Sequence, residues 1–220
     1  MHFTLVIAFL KERKNKQKNK ILSVFIPTYF SPISQYAEIL KSDTVLFEME
    51  DNFQKQSYRN RCYIYNSNGK QLLNIPVKDG SKEVSSRKKT KDMLVENTIP
   101  WQDHHLKSLQ TAYRTSPFYE FYEDDLLPIF TKKYRYLQDV NIDTFLFVTD
   151  ALQINQEYSK TKEYSTNIDD DYRDLACVKK QPQKLVDKYI QMFDDKHGFL
   201  PNLSILDLLF MEGPNAISYL

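Results

Sequence analysis

Glycine is nearly absent from this chain. Gly69, Gly80, Gly198 and Gly213 are the only four in 220 residues, and none is spaced to form G-x-G-x-x-G, G-x-x-x-x-G-K-[ST] or G-x-S-x-G. Glycine-loop dinucleotide sites, P-loop NTPases and nucleophile-elbow hydrolases are therefore excluded. An anion bound by such a chain must be gripped by side chains, arginines above all, or by helix ends.

A chain of this length suits one domain with a core large enough to fold without staples. Its 30 basic and 29 acidic residues leave a net charge of +1, without the basic excess of a dedicated nucleic-acid binder. That balance is uneven along the chain. Residues 11–20 carry six Lys/Arg and one Glu, so without them the remainder falls to −4. The apolar run Phe3–Leu10 is too short to span a bilayer, and its charges follow it rather than precede it as in a secretory signal. Residues 1–20 are expected to be a disordered or spurious leader, and the domain to occupy 21–220. A lysine block of this kind also supports weak contact with an anionic membrane surface. Cys62 and Cys177 suggest no disulfide framework and no zinc spacing, which fits a reducing compartment. The four histidines are too scattered for a His-based metal site, while acidic residues are too common for counting to exclude a carboxylate site for Mg²⁺ or Mn²⁺. No metal ligand set and no cofactor is read.

The pattern predicts an α/β fold: an N-terminal parallel strand–helix–strand unit plus a hairpin, with a helical C-terminal half. Ile21–Ile26 and Thr44–Glu48 read as strands around a helix opened by Ser31-Pro32. Arg61–Tyr65 and Gln71–Val77 flank the turn formers Asn66–Lys70 and read as a hairpin. Asp79–Lys91 is a polar loop. Pro100 opens a helix with Trp101, His105, Leu109 and Ala112/Tyr113 on one face, and Ser116-Pro117 reads as the cap of a second, ended or kinked near Pro128. Asn141–Gln153 reads as a helix, with Phe145–Val148 open to a strand. Gln156–Asp174 reads as irregular. Leu185, Val186, Tyr189, Ile190 and Phe193 mark an amphipathic helix, and Ser204–Asp207 a capping-box variant.

Three constellations carry candidate chemistry. Gln56–Arg61 places Arg59, Asn60 and Arg61 together, and arginine is the side chain best suited to a two-pronged grip on carboxylate or phosphate. The same stretch also reads as a solvated turn with salt bridges. Trp101 and His105 stand four apart on one helix face, as a stacking ring beside a general acid/base would, or as a core-edge histidine satisfied by a backbone carbonyl. Glu48, Glu50 and Asp51 leave the second strand where parallel sheets place functional carboxylates, or form a polar strand exit.

Pro27–Ile33, Asp51 and Tyr58–Arg61 resemble the opening of the WbqC-like proteins. Pro100–Leu109 with Ala112-Tyr113 and Ser116–Tyr119 looks like that family's central tryptophan–histidine helix, and Asn202–Phe210 with Glu212–Pro214 is similar to its C-terminal signature. The resemblance implies a bacterial cytoplasmic protein of surface-polysaccharide (O-antigen-type) gene clusters, a setting rather than a particular reaction. Cys62 and Phe53 depart from the family pattern, where polar residues are common. A looser similarity, in the order strand, Pro-Thr, helix, strand, is to the HUP-type nucleotidyltransferases, but Ile33–Tyr36 lacks both histidines of their HIGH motif.

The reading that follows is a transferase acting on a nucleotide-linked or phosphorylated sugar. In it Arg59 and Arg61 hold the anionic group, Asn60 orients the sugar or leaving group, Trp101 stacks, His105 does acid/base work and Asp51 is an auxiliary base or metal ligand, with Tyr29 and Tyr58 as further substrate contacts. The alternative is a non-catalytic binding or scaffold subunit of a glycan-assembly complex.

Overall fold

The computed structural model describes residues 22–78, 88–180 and 187–220. The leader at 1–20, Lys82 and Arg87 of the polar loop, and Leu185 and Val186 lie outside the described residues.

Strand β1 (Leu22–Phe25), helix α1 (Ile33–Ile39) and strand β2 (Thr44–Phe47) form the expected unit, with Leu22 opposite Thr44 and Phe25 opposite Phe47 in a parallel pair. Pro32 stands at the N-cap of α1 in extended backbone, where its missing N–H costs nothing. Strands β3 (Arg61–Asn66) and β4 (Gly69–Asn74) make the antiparallel hairpin. Asn66 accepts from the Asn68 amide to shape the turn, and Gly69 supplies its φ of +99°.

Helices α2 (Trp101–Tyr113), α3 (Tyr119–Thr131) and α4 (Leu137–Ala151) follow. The face read for α2 is the buried one: Trp101, His105, Leu109, Ala112 and Tyr113. Ser116 does not cap α3. Phe118 holds that position, and its amide is satisfied by the Phe210 carbonyl at 3.0 Å. Helix α3 also runs through Pro128 within its last turn rather than ending there. Phe145–Val148 is helical, inside α4.

The stretch read as irregular contains two short strands, β5 (Tyr158–Lys160) and β6 (Asp170–Asp171). They complete a four-stranded, all-parallel sheet in the order β5-β2-β1-β6. Both are polar edge strands, so they lack the apolar alternation by which strands are read. On one face of the sheet Phe145 of α4 packs perpendicular to Phe47 at 5.0 Å and parallel to Tyr36 of α1 at 6.5 Å. On the other, Leu22, Val24, Leu46 and Glu48 meet the connection between β5 and β6.

After α5 (Asp194–His197) comes α6 (Ile205–Glu212), whose N-cap Ser204 accepts from the Leu206 amide. The box is incomplete because the Ser204 amide already donates to Tyr63 O at 2.8 Å. Asp207 is thereby released. Fully buried, it accepts from the Tyr113 hydroxyl at 2.6 Å, the Tyr189 hydroxyl at 2.5 Å and Gln191 Nε2 at 2.9 Å. Those contacts explain why Asp187–Phe193 is not the expected helix. Residues two apart reach one carboxylate only from extended backbone.

Gly213 ends α6 at φ +56°, and a Cβ there would lie 2.6 Å from the Phe118 ring, whose backbone is itself pinned to Phe210. Gly213→Ala is expected to lose about 2 kcal/mol or more of stability in urea unfolding. A loss within about 0.5 kcal/mol would remove Phe118 as the obstacle.

Candidate functional site

Strand β2 leaves the sheet through three carboxylates, and each meets a cation from a different segment. Glu48, with no exposed side-chain surface, accepts from Thr161 Oγ1 and the Glu50 amide at 2.8 Å and from Arg173 Nη1 at 3.1 Å. Arg173 also grips Asp171 through Nε and Nη2 at 2.9 and 2.6 Å and lies 4.5 Å over the Tyr164 ring. Glu50 pairs with Lys91 at 2.5 Å. Asp51 takes both Nε and Nη2 of Arg59, at 2.9 and 2.6 Å, in a pair whose side chains are 6% and 4% exposed. Burial lifts the Asp51 carboxyl above its ordinary range, and the guanidinium holds back part of that rise.

Arg59 belongs to a junction. The carbonyls of Tyr58, Arg59 and Asn60 accept from the Tyr29 amide, Asn141 Nδ2 and the Ile75 amide at 3.0, 2.8 and 2.8 Å. Asn141 of α4 also donates to Pro27 O at 3.0 Å, so one amide ties the loop after β1 to this turn. Asn60 directs its own amide to Ile75 O and Asn74 Oδ1.

A second cluster is aromatic. The Tyr29 hydroxyl and His105 Nδ1 are 3.0 Å apart, and the rings of Tyr29 and His105 approach Trp101 edge-on at 6.3 and 5.3 Å. His105 is buried, which lowers its pKa from the ordinary 6.5 to about 4. The imidazole is therefore neutral at pH 7. Its one N–H meets the Asn74 carbonyl, leaving Nδ1 to accept from Tyr29. Burial likewise raises the Tyr29 hydroxyl, so both groups are neutral. Trp101 Nε1 and Asn60 Oδ1 have no hydrogen-bond partner among the described residues.

The candidates thus divide. Asp51, Tyr58, Arg59 and Asn60 meet at the junction, and Tyr29 joins it by its backbone to the Trp101–His105 cluster by its side chain. Arg61 stands apart. Helix α2 packs on the β3–β4 face that carries Cys62 and Gln71, where Gln71 donates to Ser108 at 3.1 Å. Strand alternation puts Arg61 on the opposite face, with Tyr63, so Arg61 and His105 do not share one cleft.

Open space lies elsewhere. A cavity of about 760 Å³ sits over the outer sheet face, between Leu22, Val24, Leu46 and Glu48 below and residues 160–170 above. Lys160, Thr161 and Lys162 line its end at the carboxyl edge of the sheet, with Glu163 beside them, and Asn167, Asp169 and Asp170 its other end. Of the candidates named from the sequence, Glu48 lines it and the others do not. Among the described residues, no group of three or more His, Cys, Asp or Glu is placed to hold a metal ion, and no helix is long and apolar enough to cross a membrane.

A model of the WbqC-like protein family matches residues 27–186, well over half of the chain. The chain belongs to the WbqC-like protein family. The matched stretch holds the Pro27–Ile33 loop, the junction and the Trp101–His105 helix, while the Asn202–Pro214 segment lies beyond it. No curated protein and no solved structure matches the chain.

In this WbqC-like protein the residues that sequence reasoning missed are Asn141, Lys160, Thr161, Lys162 and Arg173. Asn141 sits in an apolar helical stretch, where a lone amide was the available signal. The others end or follow the two unrecognised strands, and recognising those strands would have placed them at the sheet edge.

Arg59→Met is expected to cost about 3–5 kcal/mol by stranding the Asp51 carboxylate, and Asp51→Leu with Arg59→Met to recover part of it. Additive losses in the double variant, read from urea midpoints, would show that the pair is not coupled. His105 makes a pH signature of its own. Because its folded pKa lies below the unfolded value, the unfolded chain protonates first, and stability drains away as pH falls from about 6.5 towards 4. The wild type should lose up to about 3 kcal/mol more than His105→Gln over that window, and an equal loss in both would rule out a buried neutral imidazole.

Proposed function

We propose that the protein is a cytoplasmic transferase that acts on a nucleotide-linked or phosphorylated sugar in bacterial surface-polysaccharide (O-antigen-type) synthesis, with the sugar phosphate seated in the cavity over the parallel sheet. The observation that carries this reading is the division of the cavity's lining into two ends. Lys160 and Lys162 suit a phosphate at the carboxyl edge, where open parallel sheets bind ligands. Asn167, Asp169 and Asp170 suit sugar hydroxyls at the other end. The volume of about 760 Å³ falls within the roughly 300–1,000 Å³ of small-molecule sites.

The chemistry follows from that placement. As the bond between sugar and phosphate breaks, the electron pair leaves on the phosphate, and Lys160 and Lys162 offset the growing charge. Glu163, exposed at the same end, takes the proton of the attacking hydroxyl, a service worth about 10²- to 10⁴-fold. Glu48, with no exposed surface, anchors Thr161 and Arg173 beneath the cavity. Asp51 and Arg59 serve by holding the strand exit in place, and the Tyr29–His105–Trp101 cluster by seating α2 against the loop after β1. Arg61, on the far face of the hairpin, is outside this site.

Thermal melts against a panel of sugar phosphates and nucleotide sugars test the proposal. A ligand at a hundred times its Kd should stabilise by about 2.7 kcal/mol, a rise of roughly 5–10 °C for a chain of this size. Lys160→Ala with Lys162→Ala should abolish the rise and Arg61→Ala should keep it. Silence across the panel favours the scaffold alternative. A rise that survives the double lysine variant places the ligand elsewhere.

A further inference from the structure

A second cavity, of about 750 Å³, is lined by Lys188, Tyr189, Ile190, Asp194, Asp195, Phe199, Glu212 and Tyr219. Its walls combine aromatic faces with carboxylates. The Tyr189 ring stands nearly perpendicular to Phe199 at 5.6 Å and is inclined at 68° to Tyr219 at 6.0 Å, so three rings turn around one space. Asp194, Asp195 and Glu212 oppose the single Lys188, which leaves the lining acidic.

The tyrosines are not ordinary rings. The Tyr189 hydroxyl donates to the buried carboxylate of Asp207, and burial first, then the Glu212 charge, raises the pKa of the Tyr219 hydroxyl. A phenol that donates to a carboxylate carries more electron density in its ring, which strengthens attraction for a cation at its face. The chain already shows the affinity in use. The ammonium of Lys188 lies 5.9 Å over the Phe199 ring, inside the same cavity, as an internal stand-in for a cationic ligand.

From these rings, their carboxylate partners and the resident ammonium, we infer that this cavity is a binding site for an organic ammonium ion, a protonated or quaternised amine held by Tyr189, Phe199 and Tyr219 with Asp194, Asp195 and Glu212 supplying the counter-charge. The site shares no lining residue with the cavity over the sheet. Lys188 is its internal competitor. An incoming ammonium must displace that side chain from Phe199, and half-exposed positions such as Asp195 and Lys188 leave the way in open.

The test is a calorimetric titration of the full chain with tetramethylammonium chloride, against sodium chloride at equal ionic strength. Saturable heat with tetramethylammonium and none with sodium supports the cage. Phe199→Leu should weaken binding about ten-fold, the loss of one desolvated cation–π face. Lys188→Gln should tighten it by removing the competitor. Equal heats from the two salts would reduce the site to a diffuse acidic surface and overturn the proposal, as would binding unaltered in Phe199→Leu. Should Phe199→Leu melt early, Tyr219→Leu, at a less buried ring near the chain's end, carries the same test with the same two outcomes.

Discussion

The carbonyls of Tyr58, Arg59 and Asn60 each accept from a different part of the chain: the loop after β1, helix α4 and the end of β4. The Tyr58 amide adds a fourth tie, donating to Ala176 O at 2.9 Å beyond β6, and the Arg59 side chain a fifth, to Asp51 beyond β2. No secondary structure satisfies these three residues, so their polar backbone groups can be buried only if every partner arrives together. The buried ion pair sharpens that condition, because either charge alone would cost several kcal/mol. Sheet, hairpin and helical layer are therefore folded as one cooperative unit through a single tripeptide.

This commitment governs what the charged residues are free to do. Arg59 stands in a cluster that looks made for an anion, yet its guanidinium is held by a carboxylate eight residues away in sequence. Glu48 and Glu50 are answered in the same way by Arg173 and Lys91. A strand exit with three carboxylates would otherwise repel itself apart, so the cations gathered there are first of all structural. What remains for a ligand is Lys160, at the end of β5, and Lys162, which line open space and, among the described residues, pair with no buried acid. Net charge near zero concealed this, since it counts paired and unpaired cations alike.

Much of the architecture was legible from residues because the signals were local. Apolar runs bounded by proline gave β1 and β2, the Asn66–Gly69 turn gave the hairpin, and the spacing of Trp101, His105 and Leu109 gave the buried face of α2. His105 also carried both of its readings openly, and its burial beside Tyr29 and Trp101 accords with either. The failures were non-local. Asp170 and Asp171 form a strand only because β1 offers them an edge, and nothing in two aspartates announces it. Tyr189 looked like one stripe of a helix, but with Gln191 it reaches a carboxylate that its own segment does not contain. The cavity over the sheet was hidden for the same reason: Lys160 and Thr161 come to line it only once the strand that Lys160 ends joins the sheet.

Scarcity of glycine bears on the site as much as on the fold. Chains rich in glycine bring backbone amides to a ligand and need few side chains to bind it. Here the turns are closed by side chains instead, as Asn141 closes the loop after β1 and Gln35 closes it again by donating to Ile26 O at 3.0 Å. Side chains used in this way are buried and already partnered, so binding must fall to those left at the margins of the core. Asp207 shows how the two layers connect. Lacking a cation, and raised by burial, it is stabilised by phenols, and one of those phenols turns its other side to an open cavity. A contact required to bury a carboxylate thereby sets the electronic character of a ring in the cavity wall, so core and surface are coupled through one side chain.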